Sequence, residues 1–190
     1  MTGLVADAGT RRARNAVYVV FAAAGFSVAS WAARIPQIRA ALGVTPGVLG
    51  LILMCAAVGA AISTPLSGLV VGWLGEARAV TVTALTAAAG LATTAGYRAG
   101  IAPVAAGLFL FGAGTAAWDV GMNVQGAAVE QALGRSIMPR FHAGWSIGTV
   151  AGAGTGAVMV ALGVPASVHL LAVALAVAVA APAATRRFLP

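Results

Sequence analysis

The chain has 190 residues, of which 61% are hydrophobic and only 8% are charged, and its mean hydropathy is +0.97. A soluble domain has about 25% charged residues, so this chain has too little polar surface to face water on all sides. Its net charge of +7 comes from 11 arginines, with no lysine. Because these arginines separate long apolar stretches, they are typical of membrane anchoring rather than of a nucleic-acid-binding surface.

Six apolar stretches are long enough to cross the hydrocarbon core of a bilayer, which takes about 20 helical residues. We predict that all six are transmembrane helices, so the expected fold is an all-α bundle at residues 15–185 after a cytoplasmic tail at residues 1–14. The stretches are Asn15–Ala33, Pro46–Leu74, Ala79–Tyr97, Ile101 to about Gly126, Phe141–Leu162, and a last one that follows Gly163-Val164-Pro165 and ends near Ala184. In the second stretch we expect a bend or a break at Pro65.

The arginines also predict an orientation. With the N-terminus inside, eight arginines fall on the inner side and three fall on the outer side, namely Arg34, Arg39 and Arg98. Cytoplasmic loops carry the excess of Arg and Lys. We therefore expect both termini in the cytoplasm.

The two halves of the chain share a weak pattern. A shift of 87 positions aligns Gly25 with Gly112 and Trp31 with Trp118. A unit of three spans begins and ends on opposite sides of the membrane. A second copy must therefore be inverted, as in nested transporter repeats. We therefore expect two inverted three-helix repeats.

Glycines recur at four-residue spacing in the fifth stretch. This spacing lets helix backbones approach closely in lipid. The glycines of this stretch are Gly144, Gly148, Gly152, Gly154 and Gly156. They predict a packing face, and a sliding surface between two moving halves is the alternative.

Asp119 is the only charged residue between Ala99 and Val129, a run of about 31 residues or roughly 46 Å as helix. A charge at that depth is costly in hydrocarbon and usually faces a bundle interior or a water-filled cavity. Asn123 lies four residues on and shares a helix face with it. We predict that Asp119 binds and releases protons. The alternative is a structural carboxylate that holds helices together through hydrogen bonds.

Further polar and aromatic residues are candidates for binding a small polar solute. Gln125 lies further round the helix that carries the carboxylate. At the start of the fifth stretch, His142 is a candidate proton relay and Trp145 a candidate stacking surface for a sugar-like ring. Their alternatives are an interfacial histidine and a residue of the aromatic belt. Trp31 is a candidate for an outer vestibule, whereas Arg34 beside it is expected to anchor the helix end.

Soluble-enzyme motifs are absent from the sequence. It contains no Gly-Lys-Ser/Thr phosphate loop and no metal-binding cluster, and Cys55 alone cannot form an intrachain disulfide. We therefore expect no enzyme activity, cofactor or metal. His169, which lies among leucines and valines in the last stretch, is expected to pack rather than to bind a ligand.

Three blocks of the sequence form a recognisable pattern. They read Ala-Ser-Trp-Ala-Ala-Arg-Ile-Pro-Gln-Ile-Arg at 29–39, Asp-Val-Gly-Met-Asn-Val-Gln at 119–125 and Phe-His-Ala-Gly-Trp-Ser at 141–146. From about Tyr18 to the end, the chain resembles a bacterial branch of the major facilitator superfamily, related to the fucose–proton symporters. By this resemblance Asp119 matches a proton-linked carboxylate on the fourth helix of sugar symporters. The resemblance also implies a multi-pass protein of the bacterial inner membrane.

The connection between the second and third stretches departs from that family's pattern, Gly-x-x-x-Asp-Arg-x-Gly-Arg-Arg, which helps to latch the two halves. Here Gly68, Gly72, Gly75 and Arg78 remain, with Gly72 and Trp73 where the charged pair is expected. We therefore expect a degenerate gating loop. Family members have twelve helices in two halves, and this chain resembles the N-terminal half, with residues 186–190 as the start of a truncated central loop.

These features predict a secondary transporter, or half of one, that moves a small polar solute such as a sugar or metabolite together with protons. Alternating access needs two halves that rock about a site near the midplane. The expected partners are therefore the lipid bilayer, the solute, protons, and a second six-helix half from another chain or a homodimer, with no nucleic acid. The alternative is a non-transporting remnant, or a membrane scaffold or assembly partner.

Overall fold

The computed structural model describes residues 8–190, which form helices joined by short connections. In chain order the helices are α1 (Ala8–Ala32), α2 (Ile35–Leu42), α3 (Pro46–Leu74), α4 (Glu76–Thr94), α5 (Ile101–Leu133), α6 (Met138–Ala161) and α7 (Ala166–Thr185), with a 3₁₀ turn at Tyr97–Ala99. These described residues include no β-strand. The prediction of an all-α protein is confirmed.

Among residues 8–190, four helical segments are long and apolar enough to cross a membrane. They are Ala8–Leu42, Pro46–Leu74, Ile101–Leu133 and Ala166–Thr185. The remaining two long helices, α4 with 19 residues and α6 with 24, have the length but are richer in threonine and glycine. At ~1.5 Å per residue they measure about 28 Å and 36 Å. Membrane crossing by these two helices stays a prediction.

The core of the bundle lies between α1, α4, α5 and α7. Helix α1 packs against α6 and α7, and α4 packs against α5 and α7. Phe21 of α1, Leu91 of α4, Trp118 of α5 and Leu170 of α7 are almost fully enclosed. The first and last helices of the chain are therefore direct neighbours in the bundle.

Helices α3 and α6 lie outside this core and are held through glycines. In the α3–α5 contact, a Cβ on Gly112 would clash with the backbone carbonyl of Ala56. In the α1–α6 contact, Gly148 lies against the backbone carbonyl of Ala22 in the same way. The predicted packing role of the α6 glycines is confirmed, except that Gly154 faces open space. Both outer helices thus approach their neighbours backbone to backbone.

Several predicted helix ends, and one predicted break, differ from the structure. Helix α1 begins at Ala8, inside the predicted tail, whose first seven residues lie outside the described part of the chain. Helix α3 runs without a break through Pro65, although this proline has no N–H to donate to the Ala61 carbonyl. Membrane helices tolerate proline where small local adjustments of the helix compensate for the missing hydrogen bond. The helix is therefore not broken at Pro65, and a bend at this point stays a prediction.

Candidate functional site

A cleft of about 300 Å³ opens between α1, α5 and α6, and Asp119 lies in its wall. The other lining residues are Ala24 and Val28 of α1, Thr115, Ala116 and Met122 of α5, and Trp145 of α6. Asp119 is exposed, so its carboxylate faces the open cleft and not the core. The small side chains of α1 and α5 leave the space that the carboxylate occupies.

Asn123 is the hydrogen-bond partner of Asp119. Its Nδ2 donates to the Asp119 carbonyl at 2.8 Å and to the carboxylate oxygen Oδ1 at 3.3 Å. Both bonds stay within α5 and follow from the four-residue spacing. In the described part of the chain, the Asp119 carboxylate makes no hydrogen bond to another helix. The geometry therefore does not favour the alternative of a carboxylate that ties helices together.

Helix α6 places two more predicted site residues on this face. The indole of Trp145 lines the cleft, and the exposed His142 lies within electrostatic range of the Asp119 carboxylate. The His142 ring packs edge-on against Phe21 of α1, with ring centroids 5.3 Å apart. The structure thus brings a carboxylate, an amide, an imidazole and an indole to one open face.

Gln125 lies on another side of α5. At 100° per residue, six positions after Asp119 place it about 240° further round the helix. Gln125 is fully buried. In the amide orientation that satisfies both of its neighbours, it donates to the Glu76 carboxylate and accepts from the Leu189 backbone N–H at 2.6 Å. The expectation that it borders the cleft does not fit this placement.

Trp31 is also enclosed in the core, with 7% of its surface exposed. It lies near the end of α1 and packs within the main apolar cluster of the bundle. An indole there adds buried apolar area, and it does not line the cleft that holds Asp119. The structure therefore separates Trp31 from the four residues that share the open face.

The predicted gating loop is mostly helical, and only one residue lies between α3 and α4. Gly68 and Gly72 lie on the exposed face of α3, and Gly75 alone connects α3 to α4 with a φ of +75°. Glu76 and Arg78 then belong to the first turn of α4, where Glu76 accepts from Gln125 and Arg78 is exposed. A gating role for this connection stays a prediction.

A buried polar pair at the far end of α1 was not foreseen. Arg34 is 1% exposed, and its Nε donates to Nδ1 of His169 at 3.0 Å while its Nη1 donates to the Val164 carbonyl at 3.1 Å. Because Nδ1 accepts this bond, His169 is neutral with its proton on Nε2. The sequence hints at the pair only by placing a cation and an imidazole at the same predicted membrane side.

Two curated proteins are similar to the chain, whereas no protein-family model and no solved structure matches it. It is 34% identical over 158 residues to an uncharacterized transporter of Sinorhizobium fredii, across 80% of this chain and 40% of that protein. It is 32% identical over 136 residues to an uncharacterized MFS-type transporter of Yersinia pestis, across 72% of this chain and 35% of that protein. The chain thus spans less than half of the length of these relatives, and both are named as transporters.

Proposed function

We propose that the chain belongs to the major facilitator superfamily and forms a six-helix unit of a transporter for a small polar solute. In this proposal Asp119 carries the proton, and Asn123, His142 and Trp145 border the solute. The observation that carries the proposal is the grouping of these four residues on one open face. The names of the two relatives support transport as the general role.

The chemistry of the cleft suits a sugar-like or other hydroxylated metabolite. The carboxylate of Asp119 and the amide of Asn123 offer acceptors and donors to hydroxyl groups. The indole of Trp145 offers an apolar face to the C–H surface of a ring. Removal of water disfavours a charged carboxylate, so closure of the cleft would favour proton binding by Asp119. Uptake of the solute and of the proton would then be linked.

A second six-helix unit would cover the cleft. Alternating access places the site between two units that rock against each other, and here the residues of the site face outward from a single unit. The two relatives are more than twice as long as their aligned regions. We propose that the second unit comes from further sequence of the same protein or from a second chain, in a bacterial inner membrane with both termini cytoplasmic.

The internal repeat also belongs to this proposal. A shift of 87 residues relates Gly25 to Gly112, and both pack on a backbone carbonyl of an outer helix: Gly25 on Trp145 in α6 and Gly112 on Ala56 in α3. The contact of α1 with α6 thus corresponds to that of α5 with α3. This correspondence supports two inverted three-helix repeats and hence six membrane-spanning helices.

In proteoliposomes that contain the chain together with its second six-helix unit, replacement of Asp119 by asparagine is expected to abolish solute-driven proton entry, because the amide keeps the shape but binds no proton. The measurement is the fluorescence of an internal pH dye while a panel of sugars and small metabolites is added outside. Asp119→Glu is the matched control, since it keeps a carboxylate and should retain proton entry. Undiminished proton entry with Asp119→Asn would remove this residue from proton coupling.

Water in the cleft can be tested by cysteine labelling, because Cys55 is the only cysteine. In a Cys55→Ser background, Ala116→Cys lies in the cleft and Leu175→Cys on the exposed surface of α7. The thiolate is the reactive form and does not persist in hydrocarbon, so we expect a membrane-impermeant maleimide to label Ala116→Cys at least about tenfold faster. Equally slow labelling at both positions would mean that the cleft is covered by lipid.

A further inference from the structure

A separate cavity of about 250 Å³ lies between the beginning of α1 and the end of α7. Its walls are apolar and its rim is polar. The lining residues are Ala16, Val19, Ala180, Ala183 and Ala184, with Asn15 and Arg187. None of them lines the cleft of Asp119. We refer to this cavity as the α1–α7 groove.

One arginine lines the α1–α7 groove, and a second precedes a lining residue in the sequence. Arg187 lines it directly. Arg14 does not line the groove itself, but its Nε and Nη2 both donate to Oδ1 of the lining residue Asn15, at 3.2 Å and 3.0 Å. None of the acidic residues in the described part of the chain lines the groove. Their carboxylates are Glu76, Asp119 and Glu130, and they contact Gln125, Asn123 and the N–H groups of Ile137 and Met138 respectively. Within residues 8–190, no acidic side chain in the groove therefore offsets the positive charge of Arg187.

We propose that the α1–α7 groove binds one anionic phospholipid, with its phosphate at Arg14 and Arg187 and an acyl chain along the alanines of the wall. Guanidinium groups offer paired N–H donors that match phosphate oxygens. Basic pockets between membrane helices on the cytoplasmic side take anionic headgroups. Both arginines lie on the side that we predict to be cytoplasmic.

The apolar wall selects a lipid over a free phosphate ion. Val19 is 46% exposed, and Ala183 is exposed beside it. These apolar side chains offer no hydrogen bond to an inorganic anion but fit a hydrocarbon chain. A lipid there would contact both α1 and α7 and so hold the first and last helices together. This inference does not depend on proton coupling at Asp119.

The test is a titration of the full purified chain in detergent, followed by native mass spectrometry. The probes are phosphatidylglycerol and phosphatidylcholine with the same acyl chains, each with and without inorganic phosphate. We expect phosphatidylglycerol to bind at least about tenfold more tightly than phosphatidylcholine, since the proposal assigns the headgroup to two arginines. Equal affinity of the two lipids, or displacement of phosphatidylglycerol by an equal concentration of inorganic phosphate, would overturn the proposal.

Paired substitutions locate the binding. Arg14→Gln with Arg187→Gln should remove the preference for the anionic lipid. Arg135→Gln with Arg140→Gln is the matched control, because it removes two exposed arginines on the same predicted side but away from the groove. If both double variants lose this preference equally, it arises from general surface charge, and the proposal of a lipid in the groove is refuted.

A third variant tests the apolar wall. Ala183→Phe fills the α1–α7 groove but keeps both arginines, so it should weaken phosphatidylglycerol binding by about tenfold if the acyl chain lies there. Circular dichroism of the same sample checks that the helices are intact. Unchanged binding by a folded Ala183→Phe protein would show that the lipid chain does not occupy the groove.

Discussion

Replacement of Gly148 by valine is expected to lower the free energy of unfolding by about 3 kcal/mol or more, since overpacking of a rigid contact costs ~1–3 kcal/mol and here the obstacle is backbone. A side chain at this position would meet the carbonyl of Ala22 in α1. The neighbouring contact of Gly152 with Phe26 would open as well, because the two helices would have to separate. The measurement is unfolding of the purified protein in detergent by titration with sodium dodecyl sulfate.

Gly154→Val provides the matched control in the same helix. No heavy atom lies within 4 Å of the position that its Cβ would occupy. We therefore expect a change in the free energy of unfolding within about 0.5 kcal/mol, as for surface substitutions in general. Equal destabilisation by the two variants would mean that α6 does not rest on α1 as described.

Replacement of Arg34 by leucine is expected to cost about 2–3 kcal/mol of stability, because hydrogen bonds to charged groups contribute ~1.5–3 kcal/mol and two acceptors lose their donor. Those acceptors are Nδ1 of His169 and the carbonyl of Val164. Both connect the end of α1 to the beginning of α7. The measurement is again the free energy of unfolding in detergent.

Arg98→Leu is the control for removal of an outer arginine, since Arg98 is exposed in the 3₁₀ turn. A double-mutant cycle with Arg34→Leu and His169→Leu isolates the pair itself. We expect a coupling free energy of about 1 kcal/mol or more, because the two groups are in direct contact. Additive effects in the cycle would show that Arg34 stabilises the chain independently of His169.

Local signals in the sequence were sufficient for some elements. Helix α3 has the predicted bounds because Thr45 caps its start, accepting from the Val48 N–H at 3.3 Å, and Gly75 ends it with a left-handed φ. The bond between Asp119 and Asn123 likewise follows from their spacing alone. Residues three or four apart in one helix are neighbours whatever the rest of the fold does.

Contacts between distant segments could not be predicted in this way. The pair of Arg34 and His169 joins positions 135 residues apart, and only the packing of α1 on α7 brings them together. We expected Gln125 beside Asp119 because they share a sequence block. The two residues are six positions apart, however, so their side chains lie on different sides of α5. The enclosure of Trp31 also depends on which helices surround α1, and composition does not fix that arrangement.

The contact of α1 with α6 and α7 has a consequence for biogenesis. Helix α1 is synthesised before its main neighbours α6 and α7, and at ~5–20 residues per second the 135 residues between Arg34 and His169 take about 7–27 s to synthesise. During that interval Ser27, Ser30 and Arg34, which are buried in the finished bundle, lack their final surroundings. The nascent chain therefore needs a protective environment, such as the insertion machinery, until α7 has been translated and packs against α1.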